Sequence, residues 1–432
     1  MPAGVTDPPG QGTFHRQDAP RPLLRRGPRP LLLHLTLAML RSSASVVASP
    51  NSSHAWHSSN KEVAAAIANS LGGRASASFP TAVLEEALRQ DAALVHGIAA
   101  YRRHPWHRDL PDPPSVWQEG GSRLLDYGAP AGPTGGDDGA LKDADGPTVL
   151  FVPSLVNRAY VLDLAPGHSM LRWLAKQGIR PLLLDWGWPG AAERRFTLTD
   201  YIAGRLERAM AAAAALAGGP TVLAGYCMGG TMAVAAAQRR PDLVRALTLL
   251  AAPWDFHAAD PERAVQAGRS LPLFEPVLAF DSTLTVDVLQ MLFTFLDPFS
   301  VGEKYRGFGR LDPEGERARL FVALEDWLND GVPLAAPVAR ECLSGWYGDN
   351  TPASGDWLIA GLPVDPATLQ IPAFVVVPGR DRIVPPDSAR PLAQLITSAS
   401  LHEPIAGHIG MVAGMSARRV LWQPLLAWLR SL

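Results

Sequence analysis

The hexapeptide Gly225-Tyr226-Cys227-Met228-Gly229-Gly230 constrains the fold of this chain more than any other segment. It follows the apolar run Thr221-Val222-Leu223-Ala224 and precedes the helix-favouring stretch Thr231–Arg239. A small residue two before and two after a nucleophile, at the junction of a buried strand and a helix, is the G-x-S-x-G nucleophile elbow with cysteine in the serine position. The turn is strained, and a side chain on either flank collides with the neighbouring strand or helix, so glycine is required there. Taken alone, the same residues also fit a buried cysteine beside a loop glycine. The elbow reading therefore needs a strand before it, a helix after it, and an acid and a base downstream.

The surrounding pattern supplies the strand and the helix. Thr148–Val152, Arg180–Asp185, Thr221–Tyr226 and Ala246–Ala251 are short apolar runs, and Ser169–Gln177, Asp200–Leu216 and Thr231–Arg239 between them have helical spacing, with Thr197 placed to cap the second helix. Such alternation predicts right-handed β-α-β units and a parallel sheet. It stops over residues 253–366, where apolar helical stretches predominate, notably Leu284–Leu296, and strand character returns at Ala373–Val377 and Leu401–Ala406. The expected architecture is an α/β-hydrolase fold, a mostly parallel sheet flanked by helices, with a helical cap inserted after the sixth strand. The expected boundaries are a disordered or accessory segment over 1–50, accessory helices over 51–120, a catalytic core over 121–252 and 367–432, and the cap over 253–366.

A nucleophile on an elbow needs a base, and the base needs an acid that fixes its tautomer. In this architecture they follow in the order nucleophile, acid, histidine. Asp381 stands just after Phe374-Val375-Val376-Val377, and His408 follows the next strand in Gly407-His408-Ile409-Gly410. The rival base, His402, falls inside the predicted strand, and the rival acid, Asp255, comes too early and suits a capping role at the cap entry. The backbone N–H of Met228, with that of Leu155 or Val156 in the loop after Thr148–Val152, is the expected oxyanion hole. Cys342 lacks a strand–turn context and is expected to be structural. A cysteine that attacks a thioester makes another thioester, which preserves group-transfer potential, and a thiol needs less help from a base than a hydroxyl does. The triad Cys227, Asp381 and His408 thus favours acyl transfer from thioesters.

Composition narrows the alternatives. The chain has 432 residues with 47% hydrophobic and 19% charged content, enough for a large core. Its 39 basic and 41 acidic side chains nearly cancel, so no nucleic-acid partner is expected. Two cysteines make no disulfide framework and suit a reducing compartment. Arg25, Arg26 and Arg29 before the apolar run Pro30–Leu40 resemble the start of a targeting segment, but His34 and Thr36 interrupt the run. A short surface helix is expected there, after a disordered stretch over residues 1 to about 30. Lys61–Leu71 and Thr81–Arg102 are expected to be helices, and Asp126–Lys142 a loop.

The chain resembles the polyhydroxyalkanoate (poly-3-hydroxybutyrate) synthases, particularly the class III catalytic subunit, over about residues 120 to 430. The resemblance rests on Phe151-Val152-Pro153-Ser154-Leu155-Val156-Asn157-Arg158-Ala159-Tyr160-Val161-Leu162-Asp163-Leu164, Leu184–Pro189 with Thr199-Asp200-Tyr201, the modified lipase box at Gly225–Gly230, Ala252–Phe256, Glu325-Asp326-Trp327, Asp381–Pro386 and Gly407–Gly410. Arg382 stands where the family usually has histidine. The resemblance implies a cytoplasmic, granule-associated acyltransferase that polymerises (R)-3-hydroxyacyl-CoA with release of CoA. Cys227 would carry the acyl group, His408 would activate the 3-hydroxyl, and Asp381 would orient His408. It further implies a homodimer, a second synthase subunit, a polyester chain or granule surface as partner, and no cofactor or metal beyond the CoA thioester substrate. The alternatives are a cysteine-triad thioesterase, an intracellular polyester depolymerase or esterase, and a catalytically inert granule-binding protein.

Overall fold

Runs of β-branched and aliphatic residues too short to be helices build the centre of the molecule. In a computed structural model that describes residues 25–47, 79–128 and 146–432, they form one eight-stranded sheet. In chain order the strands are β1 (Ser115–Glu119), β2 (Ser122–Asp126), β3 (Thr148–Val152), β4 (Arg180–Asp185), β5 (Thr221–Tyr226), β6 (Val244–Leu250), β7 (Ala373–Val376) and β8 (Ala399–His402). Their spatial order is β1-β2-β4-β3-β5-β6-β7-β8. From β4 to β8 every neighbouring pair is parallel, and only β2 runs against its neighbours. This is the α/β-hydrolase fold expected from the sequence.

The central strands are buried on both faces, because helices cover both sides of a parallel sheet. Leu150, Val152, Leu184 and Leu223 pack into one layer. Their alternate neighbours Val149, Phe151, Leu183, Val222 and Ala224 pack into the other. Thr197 and Asp200 cap the helical segment before β5 reciprocally: Asp200 N–H donates to Thr197 Oγ1 at 3.2 Å, and Thr197 N–H donates to Asp200 Oδ2 at 2.8 Å.

Several elements differ from the expectations. Residues 115–126, assigned to accessory helices and the start of the core, form a hairpin instead. Gly120-Gly121 is a two-residue turn with Gly120 at φ +56°, and the hairpin extends the sheet by two strands. The last strand is Ala399–His402, not Leu401–Ala406. Pro404 and the exposed Ile405 belong to the loop beyond it, and His402 ends the strand. Leu284 pairs with Leu334 in a small two-stranded ribbon, so the predicted helix Leu284–Leu296 shortens to Val286–Thr294.

The chain between β6 and β7 consists mainly of helices with two such ribbons. The N-terminal run forms α1 (Leu31–Val47), and Thr81–Arg102 lies within α2 (Phe79–Arg103). Residues 25–30, expected to be disordered, are held against the helices that follow β6, as the site below shows. The expected disorder over 1–24, the helix Lys61–Leu71 and the loop over 129–142 fall outside the described residues. Among the described residues, no helix is long and apolar enough to cross a membrane.

Candidate active site

Cys227 is the single residue between β5 and α3 (Met228–Arg239), and its backbone sits at φ 55°, ψ −131°. A side chain other than glycine's rarely adopts this conformation, which costs on the order of 1–3 kcal/mol. Neighbouring backbone holds the turn. Cys227 N–H donates to Leu250 O at 2.9 Å, and Gly230 N–H donates to Cys227 O at 2.8 Å. A Cβ on Gly225 would lie 2.3 Å from Gly230 Cα, and one on Gly229 would lie 2.2 Å from Val152 O, so both flanks require glycine for contact reasons.

His408 Nδ1 and Asp381 Oδ2 are 2.6 Å apart, although 27 residues separate them. Asp381 is fixed on its other oxygen, since Oδ1 accepts the N–H groups of Ile383 at 2.8 Å and Val384 at 2.9 Å. Its side chain is fully buried and that of His408 nearly so. Burial alone pulls the His408 pKa down. The charge of Cys227 and hydrogen bonds to Asp381 and Cys227 outweigh it, so the pKa is pushed up to about 10. Tyr226 steadies the ring from one side. The two ring centroids lie 5.1 Å apart, and Tyr226 OH donates to His408 O at 3.3 Å.

The rivals are elsewhere. His402 Nε2 bonds Val420 O at 2.7 Å, and its ring stacks on Phe374. Asp255 Oδ1 accepts from His257 N–H and Asn350 Nδ2, both at 2.9 Å, which is a capping role. Cys342 is buried, and burial pushes its thiol pKa up. Met228 opens α3, where backbone N–H groups have no partner within the helix. Val156 lines the cavity beside Cys227, and its N–H approaches Ser154 Oγ at 3.2 Å. Leu155 is buried behind that wall in the core. Among the described residues, no group of His, Cys, Asp or Glu has the arrangement of a metal site.

Cys227 and His408 open on a cavity of about 90 Å³. This holds a few water-sized molecules and falls well short of the roughly 300 Å³ of an ordinary ligand pocket. One wall is the loop after β3, carrying Val156, Asn157 and Arg158. The facing wall comes from α4 (Val286–Thr294), through Gln290 and Phe293, and α5 (Glu316–Asn329), through Trp327 and Leu328. Hydrogen bonds tie the two walls together and, within the facing wall, α4 to α5. Trp327 Nε1 donates to Arg158 O at 2.7 Å, Gln290 Nε2 to Leu328 O at 2.8 Å, and Val332 N–H to Val156 O at 3.0 Å.

The N-terminal segment clasps the outside of the same helices. Arg25 bonds Asp326 at 2.7 Å, and Tyr101 bonds the same carboxylate at 2.9 Å. Arg29 reaches Asp287 at 2.8 Å and Asn329 O at 3.2 Å. Sequence reasoning missed Tyr226 and Gln290 as parts of the site. Tyr226 was legible only as the variable residue of the elbow, and Gln290 only as the one amide in an apolar helix.

Residues 147–283 match the family model described as the alpha/beta hydrolase fold. The chain is similar to the poly(3-hydroxyalkanoate) polymerase subunit PhaC of Synechocystis sp., 30% identical over 294 residues, covering 65% of this chain and 77% of that protein. It is similar to the subunit of the same name from Allochromatium vinosum, 29% identical over 285 residues, covering 65% and 80%. It is also similar to the one from Haloferax mediterranei, 30% identical over 287 residues, covering 65% of this chain and 58% of that protein.

Proposed function

This chain belongs to the poly(3-hydroxyalkanoate) polymerase family within the α/β-hydrolase superfamily, and from that premise we propose that it polymerises (R)-3-hydroxyacyl-CoA, with Cys227 as the acyl carrier, His408 as the acid and base, and Asp381 as the residue that orients His408. The observation that carries the reading is a cysteine, not a serine, on a strained elbow, sharing one cavity with a histidine whose Nδ1 meets a buried aspartate at 2.6 Å.

In the first half-reaction the Cys227 thiolate attacks the thioester carbonyl and the carbon–sulfur bond to CoA breaks. The departing CoA takes the proton from the His408 imidazolium. In the second, neutral His408 removes the proton from the 3-hydroxyl of the incoming unit. The oxygen attacks the acyl carbonyl on Cys227, a new ester bond forms, and Cys227 leaves as thiolate. Asp381 keeps the Nδ1 proton in place, so that Nε2 is the nitrogen that exchanges protons. Negative charge on each tetrahedral oxygen would meet the N–H of Met228 at the positive end of α3, together with that of Leu155 or Val156. No cofactor or metal enters this scheme.

Cytoplasmic residence, association with a granule surface, a homodimer and a second synthase subunit belong to the same proposal. The word "subunit" in the relatives' names supports the second subunit, and the rest follow from the resemblance to that family. The test is to incubate the purified protein with 3-hydroxybutyryl-CoA and follow CoA release together with the fate of the acyl group. Polymer is the expected product. Free 3-hydroxybutyrate as the sole product would replace the reading with a thioesterase, and no CoA release, with or without a second subunit, would refute it.

A further inference from the structure

Most polar side-chain atoms that line the Cys227 cavity already have work. His408 Nδ1 meets Asp381, Tyr226 OH donates to His408 O, Gln290 donates to Leu328 O, and Ser154 Oγ accepts from Val156 N–H. Asn157 is different. Its Oδ1 is shut off from solvent, and no donor reaches it. Among the described residues it is the one lining side chain with a buried polar atom left unsatisfied. A buried carbonyl oxygen without a donor is costly, and native proteins rarely keep one without a purpose.

Its place is set by the backbone. Asn157 follows Val156, whose carbonyl accepts Val332 N–H at 3.0 Å, and its Oδ1 faces Gly331, where an added Cβ would come within 3.6 Å. The amide therefore sits where the core loop meets the wall opposite.

We propose that Asn157 Oδ1 is the acceptor for the 3-hydroxyl of the acyl group and so selects hydroxylated acyl thioesters. This deepens the proposed function and rests on it. An acyl thioester and a polyester chain carry carbonyl and ester oxygens, which only accept. The hydroxyl is the one donor they bring to an acceptor without a partner. The pantetheine arm also carries amide N–H donors, so the test compares substrates that share the arm. A site built to hydrogen-bond a hydroxyl discriminates strongly against the analogue that lacks it, because the buried acceptor is then left unpaired.

The test is single-turnover acylation of Cys227, read as CoA release and as mass on the Cys227 peptide, with 3-hydroxybutyryl-CoA and butyryl-CoA compared. The two substrates share the pantetheine arm and differ in the hydroxyl. Wild type should favour the hydroxylated substrate. Asn157→Leu should lower its acylation efficiency by about tenfold or more while leaving butyryl-CoA unchanged or improved. Asn157→Asp keeps an acceptor and should retain the preference. It also serves if the leucine variant does not fold, because losing the preference in a folded aspartate variant counts against the proposal. An equal change for both substrates in Asn157→Leu would make Asn157 a structural residue and overturn the proposal, as would unaltered selectivity. If wild type is not acylated by 3-hydroxybutyryl-CoA at all, the proposed function fails with it. Acylation without selectivity refutes the Asn157 assignment alone.

Discussion

Replacing Asp381 by asparagine separates positioning chemistry from folding. Asn keeps an oxygen for the Ile383 and Val384 N–H groups, at 2.8 and 2.9 Å in the native protein, so the loop after β7 retains its anchor. What changes lies on the other side, where Asp381 Oδ2 stands 2.6 Å from His408 Nδ1. An amide NH2 placed there donates where the carboxylate accepted. His408 must then offer Nδ1 as acceptor and carry its proton on Nε2, the nitrogen needed for proton exchange with thiol and hydroxyl. A base locked in the wrong tautomer costs about 10³–10⁴-fold in rate, which is roughly 4–5.5 kcal/mol of barrier at 1.36 kcal/mol per factor of ten. Loss of the charge-assisted hydrogen bond should cost folding no more than about 1.5–3 kcal/mol. The assay is initial CoA release from 3-hydroxybutyryl-CoA, with denaturant unfolding of the same preparation. A folded Asp381→Asn protein within tenfold of wild-type rate would refute the reasoning.

Other consequences follow from the same geometry. Gly229→Ala places a Cβ 2.2 Å from Val152 O, so a loss of about 1–3 kcal/mol in urea unfolding is expected. His408 has a pKa raised to about 10 in the folded protein, so its contribution to stability is complete below its unfolded value near 6.5 and disappears as pH rises toward 10. The stability gap between wild type and His408→Gln should therefore narrow over that range, and a gap that widened with pH would contradict the assigned charge state. Cys342→Ala should leave most turnover intact, since that thiol stands outside the elbow and packs as a small apolar group in the core. Arg25→Ala with Arg29→Ala removes the clasp on Asp326 and Asp287, and hydrogen exchange should rise in Val286–Thr294 and Glu316–Asn329.

The elbow and the parallel strands were legible in the sequence because each depends on neighbours a few residues apart, and Asp381 and His408 stood out because each closely follows a strand-like run. Thr148–Val152, Arg180–Asp185 and Thr221–Tyr226 coincide with β3, β4 and β5 because a strand buried on both faces is a continuous apolar run. The edge of the sheet was harder to read. β8 is Ala-Ser-Leu-His with an exposed Leu401, so the apolar-looking Leu401–Ala406 drew the boundary too late. The β1–β2 hairpin was overlooked because Ser115–Glu119 is an exposed strand with little apolar signal beyond its Gly-Gly turn. Arg25 and Arg29 read as part of a targeting-like charge run. Their partners lie 301 and 258 residues away, a distance no local pattern reveals. The same holds for Asn157, whose unsatisfied oxygen becomes visible only once the walls of the cavity have closed around it.

The central claim is that Cys227 carries the growing acyl group, and mass spectrometry of its peptide after acid quench tests that claim most directly. Wild type caught during turnover of 3-hydroxybutyryl-CoA should carry 3-hydroxybutyryl units on Cys227 and none on Cys342. His408→Ala, impaired in activating the hydroxyl, should accumulate the single-unit adduct without lengthening it. Steady CoA release with an unmodified Cys227 peptide, or a Cys227→Ala protein that turns over near the wild-type rate, would contradict the account.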